Sequence, residues 1–178
     1  PADIFMKWSV EEKEAIGIHE VVFDNSNKKD EQWYINTNQS FAFANDTVTA
    51  SYGTAIAKAH ADTTWSQDDE DAGDLPDDKS VGDIKTRGLK YNLIQTLKSQ
   101  VANELARTDW YITRNAEKST AIPSAISTHR DAVRTKQASM ETAITNAADT
   151  AALETLHTYT TTDGVQSRPL GELPVLES

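Results

Sequence analysis

The sequence predicts an α+β fold: a small antiparallel β meander, then an amphipathic helical hairpin, then an extended C-terminal tail. Three observations carry this. Residues 17 to 58 hold short aromatic or β-branched runs separated by Asn/Asp turns. Residues 66 to 83, SQDDEDAGDLPDDKSVGD, break the composition with a dense acidic stretch. From Leu89 onward, leucine or valine recurs every fourth position.

The β region begins with Ile18 to Phe23 (IHEVVF), which ends in the turn-rich DNSNKKD. Trp33, Tyr34 and Ile35 follow, then the polar NTNQ, then Phe41, Ala42 and Phe43. A turn at Asn45-Asp46 leads into TVTASY, residues 47 to 52. A sheet of this size is marginal alone and needs something to cover one face. The aromatics Trp33, Tyr34, Phe41 and Phe43 therefore have two readings: the inner face of the sheet, or a surface that binds a partner.

These runs make residues 1–60 an N-terminal β-rich unit. Residues 61–84 read as an acidic linker, because like charges repel and Gly73 and Pro76 interrupt the run. The alternative reading is a calcium loop, but the EF-hand pattern fails: counting from Asp68, the fifth place is Ala72 and the twelfth is Lys79, where a bidentate Glu is expected.

Residues 85–158 read as helical. Leu89, Leu93, Leu97, Val101 and Leu105 form one stripe, with Ile94 beside it, on a helix that runs to about Arg107. Thr108-Asp109 supplies helix-ending chemistry, and Trp110 is expected to plug the open end of the hairpin with its large apolar surface. Pro123 suits the entry of a second helix, whose inward residues are expected to be Ile126, Ala132 and Val133. The hairpin is placed at 85–136. A short helix at 139 to 146 and another capped by Asp149 and ending at Leu156 follow. The tail, 159–178, contains Pro169, Pro174 and two glycines and is read as extended.

Composition narrows the function. A net charge of −11 disfavours a phosphate-binding surface, so no nucleic-acid partner is expected. No window has the roughly 18 apolar residues of a membrane span, and the N-terminus has no signal-peptide core. With no cysteine, disulfides and thiolate chemistry are absent. The histidines His19, His60, His129 and His157 lack ligand spacing, and the glycines form no phosphate loop. No catalytic, cofactor or metal-binding residue is assigned, and none of the nucleophile motifs is present. Asn38 and Asn45 open glycosylation sequons, but both sit where turn chemistry already calls for Asn.

One stretch carries more. Leu105, Thr108, Asp109, Trp110, Ile122, Pro123, His129, Arg130, Val133 and Arg134 fall in the order of an amphipathic helix closing on Leu, a Thr-Asp-Trp, a charged connection, Ile-Pro and a helix carrying Tyr or His, Arg, then Val-Arg. This segment resembles the C-terminal helical part of small tail-region proteins of tailed bacteriophages, a group that includes tail fibre assembly proteins. GIHEVVF and WYINTNQSFAFANDTVTASYGTA look like the short meander that precedes it, so the resemblance covers roughly residues 17 to 136. The acidic insert and the Thr/Ala-rich extension after Lys136 depart from that pattern.

The resemblance implies a noncatalytic protein of the virion tail, present in the host cytoplasm during assembly. It would associate with the tail fibre or with other tail or baseplate proteins, as a structural part or as a fibre-assembly chaperone. Lean apolar content and an isolated sheet point to self-association as well. The matched positions look structural, with Arg130 and Arg134 on one helical face. The alternative is a protein–protein adaptor unrelated to phage, binding through the aromatic sheet.

Overall fold

The computed structural model describes residues 7–37 and 39–176. Asn38, which opens a sequon, lies outside them, as do the first six residues and the last two of the tail. The chain is α+β and divides into two compact units, Pro1–Ala57 and Lys58–Ser178.

In the first unit, helix α1 (Val10–Glu14) starts at a capping box: Ser9 Oγ accepts from Glu12 N, and Ser9 N donates in return to Glu12 Oε2. Strand β1 (Val21–Asp24) follows. Then β2 (Tyr34–Ile35), β3 (Ser40–Ala44), β4 (Thr47–Ser51) and β5 (Ile56–Ala57) form an interrupted hairpin, with β2 paired to β5 and β3 to β4, both antiparallel. Its tip is Asn45-Asp46, both at positive φ (52° and 57°), a tight turn whose twist matches the strands. The meander departs from strict alternation at one strand: β1 skips its sequence neighbours and pairs parallel with β4, giving the order β1-β4-β3. The core of this unit is small, with Trp33, Tyr34 and Ala50 buried.

The second unit opens with a ribbon of β6 (Thr63–Thr64) and β7 (Ile84–Thr86). The acidic run is the excursion between these strands, so the expected linker lies inside a folded unit. Trp65 N donates to Asp83 O (2.9 Å) and Gly82 N to Trp65 O (2.8 Å), which closes the loop at its base. Helix α2 (Gln67–Asp71) begins at a Ser66–Asp69 capping box. Its acids crowd the first turn, where the helix dipole favours negative charge, and Lys85 pairs with Asp69 while lying over the Trp65 ring. Charge density alone therefore misread this segment.

Helices α3 (Leu89–Ala106), α4 (Asp109–Lys118) and α5 (Ser124–Asn146) make the hairpin. Leu97 and Val101 of the α3 stripe are buried, and α3 packs on α5, whose buried Ile126, Arg130, Val133, Met140 and Ile144 follow at steps of four, three, seven and four along one face. Arg130, not Ala132, takes the inward place, and Ala132 is exposed. The expected separate helix at 139–146 is the continuation of α5. Asp149 caps α6 (Thr150–His157) as expected, accepting from Ala152 N at 2.8 Å. The tail opens with a hairpin of β8 (Thr160–Thr162) and β9 (Val165–Ser167) around Asp163-Gly164. Leu170 then anchors it: the residue is buried, and its carbonyl accepts from Lys136 Nζ at 2.9 Å. Residues 171–176 run on without regular structure.

Candidate interaction surface

Strand pairing decides what each face of the first unit's sheet presents. Side chains of paired residues share a face, and so do residues two apart along a strand. Val21 pairs with Val48 and Phe23 with Ala50 on one side; Phe43 pairs with Val48 and Phe41 with Ala50 on the other. Val21, Phe23, Phe41, Phe43, Val48 and Ala50 thus all lie on one face. At the centre Ala50 is buried between its flanking phenylalanines, yet Phe23, Phe41 and Phe43 are 61%, 64% and 60% exposed. His19 packs its ring against Phe43, centroids 4.4 Å apart, and its Nδ1 lies 3.1 Å from Asp46 O. Contiguous exposed apolar surface of this kind marks a contact site more often than a free surface.

The predicted aromatic group therefore splits. Trp33 and Tyr34 are core, and Phe41 and Phe43 form the outward face. Phe23 and Val21 belong to that face and were not singled out by sequence. Only the parallel register of β1 against β4 brings them there.

In the second unit, the residues of the Thr-Asp-Trp to Arg segment meet at the elbow. Arg130 Nη1 reaches Leu105 O (2.8 Å), Thr108 Oγ1 (2.7 Å) and Asp109 Oδ1 (2.8 Å). Thr108 is fully buried and Val133 lies beside this joint on α5, also fully buried. Next to it, His129 Nε2 lies 3.1 Å from Glu104 Oε1, and Arg107 holds the other oxygen at 3.0 Å. Burial pushes the Glu104 carboxyl up, but Arg107 and His129 outweigh it, so it titrates below its ordinary value. Pro123 precedes α5 as expected, with Ile122 half-buried before it, while Arg134 is exposed and pairs with Asp131, not with the elbow.

Trp110 corrects the expectation of a plug. It is 52% exposed, at the second position of α4, because the chain restarts a helix after Thr108 instead of leaving into a loop. Its ring sits 4.0 Å from that of Tyr111 and 4.5 Å from the Arg114 guanidinium. Buried Thr108 and Arg130 occupy the place expected for an aromatic ring.

An open cleft of about 720 Å³ lies between α3 and the tail, lined by Arg107, Tyr159, Arg168 and Glu172 among others. Its charged groups satisfy each other: Arg168 Nε is 2.7 Å from Glu172, and the Tyr159 hydroxyl donates to that carboxylate at 2.6 Å, which raises the phenol pKa. Among the described residues, no three His, Asp or Glu side chains are grouped to hold a metal, and no helix is long and apolar enough to cross a membrane. Compared with known proteins, the chain matches no family model, no curated protein and no solved structure.

Proposed function

We propose that the chain is a noncatalytic tail-region protein of a tailed bacteriophage, a virion component that docks on the tail fibre or baseplate through its aromatic sheet face. The observation that carries the docking reading is the shared face of Phe23, Phe41 and Phe43, three large rings left in solvent by a unit whose own core is small. Burying rings of this size on a neighbour supplies the apolar area that a stable interface needs. The phage assignment draws its support from the resemblance in residues 17 to 136.

A direct test is mass spectrometry of purified phage particles, with capture of the fibre or baseplate protein by wild type and by a Phe41→Ser/Phe43→Ser variant. Stoichiometric peptides in the particle and capture lost in the variant support the proposal. Absence from particles together with soluble fibre only on co-expression makes the protein an assembly chaperone. Capture of proteins from a non-phage host pathway through the same face makes it an adaptor and overturns the phage assignment.

A further inference from the structure

The edge of the first unit's sheet carries information that its face does not. In the order β1-β4-β3, strand β3 is an edge, and all five of its residues, SFAFA, are exposed. The direction of its unpaired backbone groups follows from the ladder. Ala44 and Thr47 close a two-residue turn, so they form a hydrogen-bonded pair, and the pairs then alternate along the strands. Phe43–Val48 is accordingly a non-hydrogen-bonded pair. An independent contact agrees: Val48 N donates to Glu20 O on the β1 side, away from Phe43. Phe41 and Phe43 therefore turn their N–H and C=O groups outward from the sheet, and Ala42 turns its own inward.

Such an edge is a template for another strand. Natural sheets blunt such edges with lysine, proline or a bulge, and β3 has none of these. Its central Phe-Ala-Phe is instead symmetric about Ala42. It also bears no charge, so a chain of net −11 meets its own copy there without repulsion within the strand.

We propose that β3 pairs antiparallel with β3 of a second copy, about a two-fold axis at Ala42. Phe41 of each copy then faces Phe43 of the other. Those are the residues with free backbone groups, so each pair exchanges both its hydrogen bonds. Ala42 faces Ala42 in a non-hydrogen-bonded pair. The axis stands perpendicular to the sheet, so the exposed rings of both copies come onto one face and the apolar patch becomes continuous. An isologous contact of this kind closes at two copies. The inference stands on the edge geometry and does not depend on the phage reading.

Because the chain lacks cysteine, Ala42→Cys introduces a single thiol. Paired as proposed, the two thiols sit across a non-hydrogen-bonded position, close enough for a disulfide. Ala42→Cys should cross-link to a covalent dimer under mild oxidation, at least tenfold faster than Thr161→Cys on the exposed β8 strand. Ser40→Cys and Ala44→Cys should each cross-link poorly alone and well when mixed, because those positions pair with each other across the axis. Sedimentation of the wild type should show a concentration-dependent dimer, lost in Phe43→Pro, whose missing N–H faces away from β4. Phe23→Ser, on the same face but the opposite edge, should keep it. A wild type that stays monomeric to high micromolar concentration overturns the proposal. So does cross-linking at Ala42 no faster than at Thr161, which reads positions and does not depend on the proline variant folding.

Discussion

Arg130 Nη1 donates to Thr108 Oγ1 across 2.7 Å, and both residues are buried where α3 gives way to α4. A cation in this place is tolerated because the helix break exposes acceptors to it. Leu105 O takes Thr108 N in place of the partner four residues on and accepts from the guanidinium as well, Thr108 Oγ1 also accepts from it, and Asp109 brings the opposite charge. Arg130→Ala should cost about 2–3 kcal/mol: Asp109 is more than half exposed and stays solvated, but the buried Thr108 hydroxyl loses its charged donor and the packing of the buried Arg130 stem goes with it. Thr108→Val, which keeps the shape and drops the hydroxyl, should cost about 1–3 kcal/mol. Arg134→Ala, exposed and one turn further on, should stay within about 0.5 kcal/mol. Urea unfolding of the three variants checks the order, and equal losses at Arg130 and Arg134 would refute the buried joint.

Trp110→Ala should change stability by less than about 1 kcal/mol, far below the loss of about 3–5 kcal/mol expected of a buried Trp. Its ring is half in solvent and rests on Tyr111 and Arg114, neighbours on its own helix. A thermal shift as large as that of Arg130→Ala would return the ring to the role of a plug.

The helices were legible in the sequence because apolar spacing is a local signal: the Leu93, Leu97, Val101 stripe and the Asp149 cap both stand where they were expected. What could not be read depended on partners distant in sequence. Phe23 joins the exposed face only through a parallel register with β4, and no local pattern encodes that pairing. Trp110 misled because a polar Thr-Asp pair serves equally as a helix stop or as the start of the next helix. The acidic run misled for a related reason: Trp65, Asp83 and Lys85, at its two ends, close the loop that its own charges would open. Arg130 takes an inward place that apolar spacing cannot announce, because its acceptors, Leu105 O and Thr108 Oγ1, lie more than twenty residues away in sequence.

Gly88→Ala should be among the costliest single-methyl additions in the chain. A Cβ there would collide with the backbone of Ala61, and that backbone cannot rotate away as a side chain would. The Gly88 N–H also donates to Asp62 Oδ1 at 2.8 Å, which helps hold that carboxyl below its usual range and ties the ribbon to the start of α3. Overpacking of this kind costs about 1–3 kcal/mol and sometimes more. Gly73→Ala tests the other penalty separately: it meets open space but sits at a φ of +77°, and should cost about 1 kcal/mol. If Gly88→Ala unfolds at the wild-type temperature, the close approach to Ala61 is wrong.

Stability should fall with acid in two separate windows. Burial pushes the half-buried His157 imidazole below its ordinary value of 6.5, while its Nδ1 bonds the Leu153 carbonyl and Arg168 adds positive charge nearby. The folded state therefore binds this proton less readily than the unfolded chain, and stability is full above pH 6.5 and lost as pH falls through the folded value. Glu104 titrates below 4.5 in the fold, so its contribution is present above that pH and disappears as the carboxylate is protonated against Arg107 and His129. His157→Gln should flatten the upper window and leave the lower one, whereas Glu104→Gln should keep the upper window and only shrink the lower, which Asp62 and Asp69, also held below their ordinary values, share. Chemical denaturation at intervals from pH 8 to pH 3 separates them. A wild-type curve that is flat between pH 7 and pH 5, or an upper window that survives His157→Gln, would remove the histidine from this account.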